Sequence, residues 1–219
     1  MSDQTLRRQI IETANAMNSS GLSPGKSGNV SVRAGEDHIL ITPTGVPYAD
    51  LEPKDIVSLD RQGRAAAGSL LPSSEWHFHL AIYQARPEIN AVVHSHSTYA
   101  TALACAHREI PAFHYMVAAA GGDSIRCAPY ATFGTDALAE YAVKALEGRT
   151  ACLLANHGQI ALGGTPAKAL ALAQEVETLA AQYCIALQIG APALLDANEM
   201  QRVLMKFETY GQPGRAPAS

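Results

Sequence analysis

Two histidines one residue apart, His94 and His96, close the apolar run Ala91-Val92-Val93-His94-Ser95-His96. In an extended strand alternate side chains share a face, so both imidazoles project side by side from the strand's end, where they could share one metal ion. Neutral imidazole is a good zinc ligand, but a catalytic zinc site needs three protein ligands and an open position, so a further donor must come from elsewhere in the chain. The best candidate is His157, in Leu153-Leu154-Ala155-Asn156-His157-Gly158, another apolar run that ends in a histidine. A His-x-His pair taken alone is more often structural than metal-binding, so the neighbouring motifs decide its meaning.

Three stretches share an unusual composition: Lys26-Ser27-Gly28-Asn29, Thr44-Gly45 and Ser73-Ser74. Glycines let backbone N–H groups approach a ligand, hydroxyls and the Asn29 amide add donors, and Ser73-Ser74 falls at a predicted helix N-terminus, where the dipole favours an anion. Each is an ordinary turn or cap by itself; together they could cradle a phosphate. Glu75 follows directly in the first turn of that helix. A carboxylate there commonly complements the helix dipole, but if it also faces the metal it becomes an acid/base. Glu75 and His79 are four apart and share a helical face, which makes His79 a rival ligand, while His77 points elsewhere. Both rank below His157.

The elements that must position these residues can be read in order. Leu6, Ile10, Ala14 and Met17 recur near 3.6 residues and predict a helix over 4–19. Asn29–Arg33 and His38–Ile41 read as a β-hairpin around Ala34-Gly35-Glu36-Asp37, and Ile56 to Leu59 as another strand. A helix runs from Pro72-Ser73-Ser74-Glu75 to about Ala85, stopped by Arg86-Pro87. After the histidine strand, Ser97 is placed to cap a helix through Ala106. Residues 112–134 have no clean period and read as loop with short strand. Thr135 caps a helix ending at Gly148, Ala151 to Leu162 form two strands turning at His157-Gly158, and Thr165-Pro166 opens a helix reaching Gly190. Asp196 with Glu199 three residues on marks a last short helix. With several strands hairpin-joined, the expected class is α/β: a single-domain α/β/α sandwich over residues 1–219 with a mostly antiparallel central sheet. The polar, proline-containing tail from about residue 211 is expected to be mobile.

Composition narrows the partners. With 47% apolar and 16% charged residues in 219, and a net charge of -4, the chain reads as globular with no call for nucleic acid. No apolar run has signal-peptide or bilayer-crossing length, which predicts no membrane association and a cytoplasmic location. Cys105, Cys127, Cys152 and Cys184 lack close spacing and read as reduced packing residues. A small soluble molecule is the expected ligand.

Taken together, Ser27-Gly28-Asn29-Val30-Ser31-Val32-Arg33, Thr42-Pro43-Thr44-Gly45, Pro72-Ser73-Ser74-Glu75-Trp76, Val93-His94-Ser95-His96 and Asn156-His157-Gly158 resemble, in order, the motif set of the class II aldolase/adducin family. The likeness is closest to its fuculose-phosphate branch. It continues through Pro111–Met116, Cys127–Thr135 and Lys206–Gly211, and so covers nearly the whole chain. The resemblance implies one Zn2+ per subunit, or another divalent transition metal, on His94, His96 and His157, with Glu75 as a ligand of the empty site that swings away to act as acid/base. It implies phosphate binding by Asn29, Thr44, Gly45, Ser73 and Ser74, and a homotetramer with active sites between subunits. Tyr115 matches a tyrosine that reaches in from a neighbouring chain, and Tyr210 one from the C-terminal tail. Lys26 stands where a threonine is common, which could tighten phosphate binding, and His77 where that branch often has arginine.

The implied function is zinc-dependent cleavage of a ketose 1-phosphate (fuculose, 5-deoxyribulose or 5-methylthioribulose 1-phosphate) to dihydroxyacetone phosphate and an aldehyde. Tyr115 would handle the proton of the departing aldehyde and Glu75 the carbon proton, while Phe133, Tyr115, Phe207 and Tyr210 would form the aldehyde-side pocket. Other reactions of the family are the alternatives: pentose-phosphate 4-epimerisation, methylthioribulose-phosphate dehydration and oxo-acid phosphate decarboxylation. A non-catalytic adducin-like assembly module stands further off, because all three histidines and Glu75 are present.

Overall fold

The computed structural model of the protein describes residues 2–208. Its centre is a seven-stranded sheet built from β1 (Asn29–Arg33), β2 (His38–Ile41), β3 (Val57–Asp60), β4 (Ala91–Ser95), β5 (Cys127–Ala128), β6 (Ala151–Leu154) and β7 (Gly158–Gly163), in the order β3-β2-β1-β4-β7-β6-β5. All neighbours pair antiparallel except β5 with β6. The expected class and sheet are therefore present.

Two helical layers cover the sheet. On one face α2 (Trp76–Ala85) and α4 (Asp136–Ala145) bury Phe78, Ile82, Leu138 and Ala142 against Ile39, Ile41, Leu59, Val92 and Ile160. On the other, α1 (Asp3–Ser19) and α5 (Pro166–Ile189) pack Ile10, Met17, Ala169 and Ala173 against Val30, Val32, Leu40, Val93 and Ala161. The division follows the strand pleat: Val92 faces one layer, Ala91 and Val93 the other. Helices α3 (Thr98–Cys105) and α6 (Ala197–Glu208) complete the second layer around Leu103, Ile110, Leu153, Val176 and Met200. No helix among the described residues is long and apolar enough to cross a membrane.

Several local expectations change. Within 112–134, Tyr115–Ala120 forms a 3-10 helix whose first backbone turn is capped by the His114 ring, a signal that apolar periodicity does not carry. Glu75 is the residue before α2 rather than a member of its first turn, and its side chain makes no capping bond. Ser97 precedes α3 but does not cap it. Its hydroxyl accepts from Gln159 Nε2 at 2.8 Å, while the N–H groups of Tyr99 and Ala100 donate to the Glu177 carboxylate on α5 at 2.8 and 2.9 Å. A charge at a helix N-terminus satisfies orphan donors better than a neutral hydroxyl, and α5 is close enough to provide it. The four cysteines are free thiols. Tyr210 and the tail lie outside the described residues.

Because Glu177 is the cap of the helix that follows the histidine strand, Glu177→Ala is expected to lower stability by about 1–2 kcal/mol in urea unfolding. An unchanged midpoint would show that Ser97 suffices.

Candidate metal and phosphate site

The register of β1 against β4 sets Asn29 directly opposite His94, so their side chains leave the sheet together on the face covered by α2. His96 lies just past the end of β4, and the turn between β6 and β7 carries His157. The last residue before α2 brings Glu75 over these three. One nitrogen from each histidine and one carboxylate oxygen lie within 4.8 Å of one another. His94 Nε2 and His96 Nε2 are 2.9 Å apart, Glu75 Oε1 is 2.9 Å from His157 Nε2, and Glu75 Oε2 is 3.2 Å from His94 Nε2.

Local backbone features make this convergence fit. Gly28 has φ +83°, and a Cβ there would lie 2.6 Å from both the His94 carbonyl and Ser23 Oγ. At Gly158 a Cβ would come within 2.4 Å of the Ser95 carbonyl and 2.9 Å of the His96 ring. Asn156, just before His157, adopts φ +55°, a left-handed geometry that asparagine tolerates. Its side-chain oxygen accepts from His107 Nε2, which ties the turn to the end of α3.

The protonation pattern suits a cation. His94 Nδ1–H donates to the Gln159 carbonyl at 2.8 Å, which turns Nε2 toward the cluster. Burial first, then the fields of His94 and His157, push His96 down to about 4, so it is neutral at neutral pH. Burial opposes the ionisation of Glu75, but His94 and His157 outweigh it and hold its carboxyl well below the usual carboxylate range. Glu75 Oε1 is buried without a hydrogen-bond partner of its own. Two imidazole nitrogens at hydrogen-bond distance and an unpartnered carboxylate oxygen, all aimed at one point, form a donor set that a divalent transition metal satisfies.

His79, the rival ligand in the sequence, is withdrawn from the cluster. Fully buried, its ring bonds Ser31 through Nδ1 at 2.6 Å and Asn29 through Nε2. His77 stacks on Trp76 instead, with ring centroids 3.8 Å apart.

Above the cluster opens a cavity of about 360 Å³ lined by Lys26, Asn29, Thr44, Gly45, Ser73, Ser74, Glu75 and Phe133. Its loops are laced together. Thr42 Oγ1 accepts from the Val30 N–H at 3.2 Å, the Thr42 carbonyl accepts from Ser73 N–H at 3.0 Å, and Thr44 N–H donates to Leu71 O at 3.0 Å. The buried Tyr48 phenol donates to the Gly28 carbonyl at 2.6 Å and fixes the glycine loop from behind. The Asn29 amide is engaged by Glu75 and His79, whereas the Lys26, Thr44 and Ser74 side chains stand at the exposed rim.

Not every predicted residue is here. Tyr115 is 51% exposed on its 3-10 helix and, with Phe207, lines a separate cleft against α6. Conversely, Tyr130 and Asn156 line the main cavity without having been singled out; Tyr130 lies in the stretch without clean period, and Asn156 was quoted only as the neighbour of His157.

The fold is one that related proteins share. Residues 8–184 match the family model "Class II Aldolase and Adducin N-terminal domain". A 5-methylthioribulose-1-phosphate/5-deoxyribulose-1-phosphate aldolase of Rhodospirillum rubrum is 54% identical over 213 residues, covering 97% of this chain and 96% of that protein. An L-fuculose phosphate aldolase of Escherichia coli is 52% identical over 212 residues, covering 96% and 98%. Among solved structures, an L-fuculose 1-phosphate aldolase superposes with a TM-score of 0.91 at 41% identity, covering 95% of this chain and 98% of its own. The chain belongs to the class II aldolase and adducin family.

The buried histidine generates a pH prediction. Burial, then the field of His94, push His79 from its ordinary 6.5 down to about 3 against the pull of Glu75. Between those values the unfolded chain binds a proton that the folded one does not, so stability falls as pH falls. The His79 ring by itself should cost metal-free protein about 2 kcal/mol of stability between pH 7 and pH 5 in urea denaturation, a loss to which the depressed His96 adds. A flat profile would show that the ring is not held neutral.

Proposed function

We propose that the chain is a zinc-dependent class II aldolase that cleaves a ketose 1-phosphate to dihydroxyacetone phosphate and an aldehyde. The observation that carries the reading is the cluster of Glu75, His94, His96 and His157 at the floor of a cavity whose rim bears Lys26, hydroxyls and a glycine turn. His94, His96 and His157 would hold the cation, with Glu75 as the fourth ligand before substrate enters. A divalent cation supplies, when bound, the electron sink needed as the C3–C4 bond breaks.

This chain's own residues do the remainder. Lys26, Thr44, Gly45, Ser73 and Ser74, with Asn29 beside them, take the phosphate at the rim and fix the substrate's end, so that the reacting carbons lie over the cluster. As the bond between C3 and C4 breaks, its electron pair stays with C3 and the C4 hydroxyl loses its proton through Tyr115, whose phenol passes its own proton to water as it receives this one, yielding the aldehyde. Glu75, a carboxylate at rest, takes up a proton from water and delivers it to C3, completing dihydroxyacetone phosphate. No lysine Schiff base is required.

Tyr115 lies outside the cavity of its own chain, which supports a homotetramer in which a neighbouring copy provides it; Tyr210 and Phe207 would close the same aldehyde side. A cytoplasmic site of action accords with a sugar-phosphate substrate. The exposed Phe133 and Tyr130 edge the cavity where the aldehyde half would lie. An apolar wall there suits a methyl or methylthio terminus, in keeping with relatives named for 5-deoxyribulose, methylthioribulose and fuculose phosphates.

Cleavage of these three ketose phosphates, followed through dihydroxyacetone phosphate release, tests the reading. Activity should vanish on chelation and return with Zn2+; full turnover by metal-free protein, or an epimer in place of the aldehyde, would reject it. Glu75→Gln should lower the rate of proton exchange into dihydroxyacetone phosphate by about 10²–10⁴-fold, and wild-type exchange in that variant would remove Glu75 from its role.

A further inference from the structure

Behind Glu75 runs a column of side chains that reaches across the sheet face to α2. Glu75 Oε2 accepts from Asn29 Nδ2 at 2.9 Å, Asn29 Oδ1 meets His79 Nε2, His79 Nδ1 meets Ser31 Oγ at 2.6 Å, and Ser31 Oγ meets the Tyr83 hydroxyl at 2.9 Å. All five residues are buried. Asn29 and Ser31 are alternate residues of β1, and His79 and Tyr83 are four apart on α2, so strand and helix periodicities bring two matching pairs face to face.

The proton positions follow from the carboxylate end. An ionised carboxylate only accepts, so Asn29 must present its NH2 group to Glu75 and its oxygen to His79. That oxygen requires a proton on His79 Nε2. The ring is neutral, so Nδ1 carries the lone pair and accepts a hydrogen bond from the Ser31 hydroxyl, and Ser31 in turn accepts from Tyr83. Every donor points toward Glu75. Were Asn29 to flip, its oxygen would oppose the carboxylate, and a lone pair on Nε2 would leave two acceptors in contact.

We propose that His79 is a positioning residue for the metal site, acting through Asn29 to bind one oxygen of Glu75 and leave the other unbonded toward the cluster. Oε2 is held by the amide, whereas Oε1, buried and without a hydrogen-bond partner, is the oxygen presented beside His157. Residues behind a metal ligand set its orientation and basicity, and their loss typically weakens metal binding about 10–100-fold. His79 touches neither the cluster nor the substrate cavity; its effect is transmitted by one amide. The inference rests on the metal-centre reading above but not on the identity of the sugar.

The test is Zn2+ affinity of the full-length protein, measured by competition with a chromophoric chelator. His79→Phe keeps the ring volume but loses the donor and should weaken Zn2+ about 10–100-fold. His79→Gln, whose amide can donate to Asn29, should recover most of that loss. Asn29→Ala should match His79→Phe, and combining the two should add nothing further, since both break one path. Ser31→Ala leaves the histidine in place and releases its tautomer, so a smaller loss is expected, and with His79→Gln it serves if the phenylalanine variant does not fold. Unchanged affinity in His79→Phe, no recovery by glutamine, or additive losses in the double variant would overturn the proposal. Absence of Zn2+ binding by the wild type would instead overturn the metal-centre reading itself. Binding intact but no cleavage of any ketose phosphate would strike the assigned reaction alone.

Discussion

A carboxylate held under three imidazoles and almost cut off from water is the interaction on which the rest of the structure depends. Burying an ionised carboxyl costs several kcal/mol unless opposite charge and hydrogen bonds offset it. Glu75 is met by His94 and His157 in front and by the Asn29 amide behind. Each compensating group comes from a different part of the sheet, so the carboxylate is tolerable only when β1, β4, the β6–β7 turn and the start of α2 are all in register. Slipping β1 against β4 by one residue would turn Asn29 to the opposite face and leave Oε2 without its donor.

The site separates into a rigid floor and an accessible rim. The floor rests on strand ends and on glycines where a methyl group would collide with backbone, which keeps the donor atoms in a narrow range of positions. Its second layer is held as firmly: the Gln159 carbonyl orients His94, and His79 orients Asn29. The rim is made of loops joined through Thr42, with Lys26, Thr44, Ser74 and Phe133 exposed. Such a division suits chemistry on the floor, where donor atoms are held in a narrow range of positions, and recognition on the rim, where side chains can vary without disturbing the strands.

Much of this was legible in the chain. The alternation in Asn29–Arg33, the continuous apolar run of Ala91–Val93 and the longer period of α1 and α5 reflect burial on one or both faces, which local sequence records directly. The three histidines were readable because each ends an apolar run, where a strand leaves the core and its side chains meet the cavity. Less legible were contacts in which one residue answers a need created elsewhere. Ser97 has the right type for a cap, yet the N–H groups behind it go to Glu177, nearly eighty positions on, because a charged oxygen was within reach. His79 shares a helical face with Glu75, and spacing alone could not tell a ligand from a support.

The sequence by itself determined the class of fold, the order of its main elements and the identity of the residues that gather as a candidate cation site, because those follow from periodicity and side-chain chemistry. Tertiary structure alone decided which histidines turn Nε2 to the cluster and which is spent on Asn29, where Tyr115 stands relative to its own cavity, and which oxygen of Glu75 the Asn29 amide holds. Those outcomes depend on strand register and on competition among neighbours for a fixed number of protons and lone pairs, and neither quantity is local to any stretch of chain.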